Sequence, residues 1–344
     1  MCELSDVSEG TDRRSFLNRA LMAAAGAGAA ISLEERILLA AMQDGESDGP
    51  KQDDAEGETM PCGKIGDLKM SRMLLGGNLI GGWAHSRDLL YVSQLFKAYN
   101  TEPKILETLQ LAEQQGINTI QIDPVCQGVV EKYKKQCGGK IQTMLCMHPT
   151  NDKKAVQEEI KRLVDKGATT LYTHGAVTDT RVRLNEIDAV GRAVDLIKQE
   201  GVKAGIGSHS LQTPIASEKN NLNPDYYVKT FHFDRYWSAI PKEHREEWCW
   251  HKGQSIDHNK YHDNIFCLDA EKTEAFMATV KKPWVAFKVL AAGAIHPRFG
   301  FSYAFRRGAD FIIVGMFDFQ IAGNVKLAND LLRKISSRKR PWYA

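Results

Sequence analysis

The sequence has no apolar run long enough to cross a membrane as a helix. Its best candidate, Leu21 to Ala30, is short and rich in alanine and glycine. It has no excess of charge either. Its 45 lysines and arginines stand against 43 aspartates and glutamates, a net +2. With no basic stripe interleaved with aromatics, nucleic acid is not a partner. The 7 cysteines show no paired metal-finger or redox spacing. Cys126 and Cys146 lie in apolar strand contexts and read as small hydrophobes. No Gly-x-Gly-x-x-Gly turn follows the first barrel-type strand, which argues against a doubly wound dinucleotide fold.

What is present begins at the N-terminus. Arg13 and Arg14 precede Phe16, Leu17 and the small-residue run, an arrangement that resembles a twin-arginine export signal. Residues 1–30 are therefore expected to be a signal peptide, cut near Ala27–Ala30. The expected partner is the twin-arginine export machinery, and the expected location is periplasmic or exported, with no stable membrane span. Residues 31–58 read as a short helix and an acidic linker. The stretch from Gln43 to Glu58 has too little apolar surface to offset the entropy of ordering it.

From residue 59 onward, short apolar runs alternate with amphipathic helices. "INTIQID", "IQTMLCM", "TTLYTH", "KAGIGS", "YYVKTFH", "WVAFKVLA" and "DFIIVGMF" are continuous apolar strands, and most are followed by a helical pattern. Strands of this kind are buried on both faces, as in a parallel sheet. Roughly eight such units predict a (β/α)8 TIM barrel over 59–344, with a long insertion after strand six at about 238–269. The insertion's His244, His251, His258 and His262 read as a polar surface excursion rather than a metal site, and Trp248 and Trp250 read either as its pins or as sugar-stacking faces. The basic "RKISSRKRPWYA" end reads as a solvated terminus.

In a parallel barrel all strand C-termini share one face, where active sites gather. Asp123, His148, His174, His209, His232, Lys288 and Asp318 each stand at or near such an end. His174, Lys288 and Asp123 are the expected catalytic residues. His148, His174, His209 and His232 are the expected metal ligands, since imidazole with a carboxylate suits zinc, iron or manganese. Lys288 sits in an apolar strand. It reads as a base or Schiff-base nucleophile, or as the ion-pair partner of Asp318. The segment "GGNLIGGWAHSRDLLY" places Asn78, Trp83, His85, Arg87 and Asp88 in another mouth loop. That set fits a polyhydroxylated or carboxylated substrate.

Most of residues 60–335 resemble the aldo/keto reductase family. "MLLGGNLIGG", "TLQLAEQQGINTIQID", "LYTHG", "AGIGSHS", "VAFKVLAAGAI" and "FIIVGMFDFQIAGN" carry the resemblance. It implies NADP and a tetrad of Asp, Tyr, Lys and His around a substrate carbonyl. His174 alone matches the tetrad. Gln121 stands at the aspartate position, with Asp123 two residues on. "DPVCQG" has no tyrosine, and Met147 or His148 replaces the lysine. For the cofactor the resemblance implies Ser208 as a carboxamide clamp, Phe287 as a nicotinamide stack and Asn324 near the phosphate. Asp318 stands where a cation is expected there and disfavours NADP. The leading expectation is His-assisted proton transfer, with or without a divalent metal, of lyase, isomerase or hydrolase type on a carbonyl or sugar-like small molecule. The alternatives are an NADP-dependent reductase with a replaced proton donor and a non-catalytic binding barrel.

Overall fold

The computed structural model describes residues 60–86, 89, 91–245, 247–248 and 267–344. The expected signal segment, the acidic linker, Arg87, Asp88, Trp250 and histidines 251, 258 and 262 lie outside the described residues, as does the His244 side chain. Glu58–Ala344 forms one compact unit.

Eight parallel strands close into a barrel, as the alternation of apolar runs and helices predicts. They are β3 (Met73–Gly76), β4 (Thr119–Ile122), β5 (Gln142–Met147) and β6 (Thr170–Thr173), followed by β7 (Lys203–Ser208), β8 (Tyr226–Thr230), β9 (Trp284–Phe287) and β10 (Phe311–Gly315). Each pairs with the next, and β10 returns to pair with β3 through Ile312↔Met73 to Gly315↔Gly76. Successive side chains point to opposite faces of a strand. Leu74, Met144, Cys146, Tyr172, Tyr226, Val228, Val285, Phe311 and Ile313 fill the barrel interior. Leu75, Ile120, Ile122, Leu145, Leu171, Ile206 and Ile312 face the surrounding helices.

The interior depends on two glycines of β7. A Cβ at Gly205 would lie 2.4 Å from the Tyr226 ring, and one at Gly207 would lie 2.8 Å from the Tyr172 ring. Absent side chains on β7 thus make room for two tyrosines on its neighbours. The Tyr226 hydroxyl bonds Thr170 Oγ1 at 2.8 Å, and the Tyr172 hydroxyl accepts from Gln121 Nε2 at 2.8 Å. Buried hydroxyls need such partners.

The floor of the barrel holds two features absent from the sequence reading. An antiparallel hairpin, β1 (Cys62–Ile65) and β2 (Leu68–Ser71), turns at Gly66 with φ +62. Its buried Ile65 and Met70 join the interior cluster and close the floor. Strands this short carry too little alternation to stand out in a sequence. The second feature corrects the reading of the basic end as solvated. Arg340 is fully buried and donates to Asp310 Oδ2 at 2.7 Å. Arg338 lies 3.3 Å from the Trp342 ring centroid. Arg72 donates to the carbonyls of Asp310 at 3.0 Å and Ala344 at 2.6 Å. A guanidinium offers five donors and a flat face, so it can be buried where carbonyls, a carboxylate and aromatic rings meet. Among the described residues no helix is long and apolar enough to cross a membrane.

Candidate active site at the barrel mouth

The interior alternation extends past the strand ends. Gln121 is followed two residues on by Asp123, Cys146 by His148, Tyr172 by His174, and Gly207 by His209. These four therefore start from the inward side of adjacent strands β4 to β7.

Asp123 caps a short 3-10 turn, Pro124–Cys126, its Oδ1 accepting from Val125 N at 2.9 Å. Its Oδ2 lies 3.8 Å from Cys146 Sγ. His174 is the N-cap residue of helix Gly175–Arg183, its side chain making no cap hydrogen bond. Its Nδ1 is buried without a hydrogen-bond partner. Burial, then the nearby His148 and Lys288, push its pKa down to about 4, against a pull upward from Asp123. One ligand atom each from Asp123, Cys146 and His174 lies within 4.8 Å of the others.

His148 stands beside His174, with ring centroids 5.3 Å apart. Its Nδ1 is 3.0 Å from Glu159 Oε1, on helix Lys153–Asp165. That hydrogen bond raises the His148 pKa, outweighing burial. The side chain is 45% exposed, so the ring reaches solvent at the mouth.

His209 is buried, with Nδ1 3.2 Å from Asp179 Oδ2. The same carboxylate accepts from His209 N at 2.7 Å, Ser210 N at 3.3 Å and Thr213 Oγ1 at 2.6 Å. The spacing is that of an ion pair, yet burial moves both groups toward neutrality. It pushes the Asp179 carboxyl up to about 7 and the His209 imidazole well below its usual range. Full burial decides the matter, and His209 is a neutral ring anchored by Asp179. Its ring also lies 5.3 Å from that of Phe287, between centroids.

His232 is placed differently. Its Nδ1 is 2.8 Å from Phe233 O, and its Nε2 accepts from Cys267 N at 3.0 Å. Both nitrogens are engaged in holding the chain, so no lone pair remains for a metal. The four strand-end histidines therefore do not make one metal shell: His148 and His174 adjoin, His209 is tied to Asp179, and His232 is a structural bridge. Nor does Asp318 pair with Lys288. It binds Tyr99 Oη at 2.7 Å and Lys104 Nζ at 3.0 Å.

Lys288 adopts φ +56, an uncommon conformation for a side-chain-bearing residue. Its charge is felt by both His174 and His209. With Phe287 it lines a cleft of ≈ 210 Å³ between the ends of β9, β10 and β3. Asn78, Trp83 and His85 line the same cleft, as expected of the first mouth loop. Gln121 touches the cleft and also bonds Tyr172, which joins the two sides of the mouth. Ser208 shares the parity of Ala204 and Ile206, on the face of β7 turned to the helices, with a buried Oγ that has no partner. Asn324 lies on the buried face of helix Asp318–Lys334. Cys146 is the site residue that an apolar-context reading misses. Its signal was positional: it lies two residues before His148, on the inward side of β5.

No family profile matches the chain, and no curated relative does. Solved structures do. One, from Pseudomonas aeruginosa and assigned as an aldo-keto reductase, superposes with a TM-score of 0.53 at 16% identity, over 80% of this chain and 95% of that one. A second aldo-keto reductase structure from the same organism gives 0.52 at 16%, over 79% and 94%. At such identity the likeness is one of fold, and in fold the chain is an aldo-keto-reductase-like (β/α)8 barrel.

Proposed function

We propose that the protein is an enzyme that moves a proton on a small carbonyl-bearing or sugar-like substrate at the barrel mouth, as a lyase, isomerase or hydrolase does. The observation that carries this reading is the pair of adjoining imidazoles, His148 and His174, 5.3 Å apart on neighbouring strand ends. Glu159 supports a proton on the half-exposed His148, whereas His174 stays neutral. Of the two, His148 holds a proton more readily than His174 and is the group placed to exchange it with substrate. Lys288 supplies a positive charge near the same site, suited to an oxyanion that develops as the proton leaves. Asp123 and His209 complete the polar wall.

The cleft favours a second reading, an NADP-dependent reductase with a replaced proton donor, because Phe287 lines it beside the β9 and β10 ends. One experiment separates the two. A panel of aldoses, ketoses and 2-hydroxy acids is incubated with the protein in D2O and followed by NMR, and in parallel with NADPH and NADP. Solvent deuterium should enter at least one substrate, and His148→Asn should slow that entry by about 10²–10⁴-fold. Oxidation of NADPH with a panel member, without exchange from solvent, would replace the first reading by the second.

We also propose that the chain is exported by the twin-arginine route. Lysine at both Arg13 and Arg14 should leave the precursor in the cytoplasm; normal export of that double variant would refute the assignment.

A further inference from the structure

We propose that Asp123, Cys146 and His174 form a binding centre for one divalent transition-metal cation of the zinc type, with a coordination position left open to the barrel mouth. The catalytic use of such a centre rests on the reading above, but its existence does not.

Three adjacent strands supply three different donors: a carboxylate after β4, a thiol within β5 and an imidazole after β6. One donor atom from each lies within 4.8 Å of the other two, and Cys146 Sγ is 3.8 Å from Asp123 Oδ2. Around tetrahedral zinc, bond lengths of about 2.0 Å to oxygen and nitrogen and about 2.3 Å to sulfur put donors roughly 3–4 Å apart. The Cys146–Asp123 pair already has that spacing, and the wider separations are to close by under about 2 Å on binding. His174 Nδ1 is buried without a partner, which is costly unless something fills the position. Cys146 is buried at 2% exposure, beside an acid. The thiol donates to the carboxylate as they stand, and once that proton leaves, both sulfur and oxygen are ligands for a dication between them.

The donor set also indicates which cation. Sulfur and imidazole suit zinc-like ions, whereas magnesium and calcium prefer oxygen alone. Binding releases the Cys146 proton, and thiolate plus carboxylate then balance the two positive charges. Three protein ligands with a fourth position free is the arrangement of catalytic rather than structural zinc. His148 stays outside the shell, its Nδ1 held by Glu159. It is therefore free to exchange protons while the His174 lone pair is committed to the cation.

The full chain, stripped with a chelator, is titrated with Co²⁺ and followed by absorbance. The expected result is one equivalent bound, with the visible bands of a four-coordinate site and a near-ultraviolet sulfur-to-cobalt charge-transfer band. Cys146→Ser should abolish the charge-transfer band. His174→Ala and Asp123→Asn should each weaken binding by at least about 10-fold. His148→Ala should leave the spectrum unchanged. Circular dichroism confirms that each variant is folded, and Asp123→Asn, the smallest change, serves if Cys146→Ser is not. A wild type without the charge-transfer band, or a band that persists in Cys146→Ser, overturns the proposal. A cobalt site in a protein that exchanges no substrate proton leaves the centre standing and defeats the proton-transfer reading. Full exchange activity in a metal-free protein retires the metal's catalytic role, and absence of the band then retires the centre itself.

Discussion

Asp310→Ala is expected to lower the stability of the folded barrel by about 3–5 kcal/mol, the usual cost of removing one partner from a buried ion pair. Asp310 is fully buried, and so is its partner Arg340, with Nη1 2.7 Å from Oδ2. The carboxylate also accepts from Trp284 N at 2.9 Å and Tyr343 N at 2.9 Å. Alanine would leave a guanidinium charge and two backbone donors facing a void. Urea unfolding should show a lower midpoint with an unchanged slope, because the denatured chain is unaffected. The cause can be isolated. Asp310→Leu combined with Arg340→Met removes both charges, and should cost less than Asp310→Ala alone. A loss below about 1 kcal/mol in the single variant would mean that the tail does not depend on this contact.

Acid should weaken the protein well before its solvent-exposed carboxylates titrate. His232 is buried at 1% exposure, and burial pushes its pKa down to about 4. In the unfolded chain a histidine titrates near 6.5. Below that value the unfolded state takes a proton that the native His232 refuses. The stability it contributes is therefore complete above about pH 6.5, falls with pH through the interval down to about pH 4, and does not fall further below it. Over the whole interval the loss for this residue is on the order of 3 kcal/mol. His209, also lowered by burial, adds in the same direction. Its partner Asp179, raised to about 7, gains stability as pH falls over the same interval and offsets it, so His232 carries the net effect. His148 acts oppositely, since its raised pKa gives stability present below about pH 6.5 and lost as pH rises through the folded value. It is 45% exposed, so its share is small. Unfolding midpoints at about pH 7 and about pH 5 measure the net effect. The midpoint should be clearly lower at pH 5. His232→Gln should be less stable at pH 7 yet flatter with pH. Equal midpoints in the wild type would contradict the assignment.

Much of the architecture was legible because a parallel barrel writes itself as repeated runs such as "TMLCM" and "FIIVG", each buried on both faces. The gathering of His148, His174 and His209 near one end followed from the same pattern. Direction at the strand end was harder. His232 follows the inward-facing Thr230 by two residues, just as His174 follows Tyr172, but the chain bends after β8 and turns its ring to Phe233 O and Cys267 N. Periodicity cannot foresee that, because it lapses where the strand ends. Cys146 was obscured by its apolar neighbours, although its parity marked it as inward. The burial of Arg340 was hidden for another reason. A basic run looks solvated unless the acid that receives it is known, and Asp310 lies 30 residues away.

The meeting of both ends of the barrel at its floor has a consequence for how the chain folds. β3 pairs with β10 through Met73↔Ile312, and Arg72 reaches Asp310 across 238 residues. Closure is therefore the most sequence-distant strand pairing among the described residues, and contacts of that kind form slowly. Until β10 is made, β3 and β9 each present an unpaired edge, and the barrel interior, Tyr172 and Tyr226 included, is uncovered on that side. Open parallel edges of this kind associate with other chains. During synthesis the growing barrel is thus an open, adhesive sheet for most of its length, and the last strand converts it at once into a closed surface. Variants that slow or weaken that final pairing should first appear as lost yield of soluble protein, before any defect at the mouth can be measured.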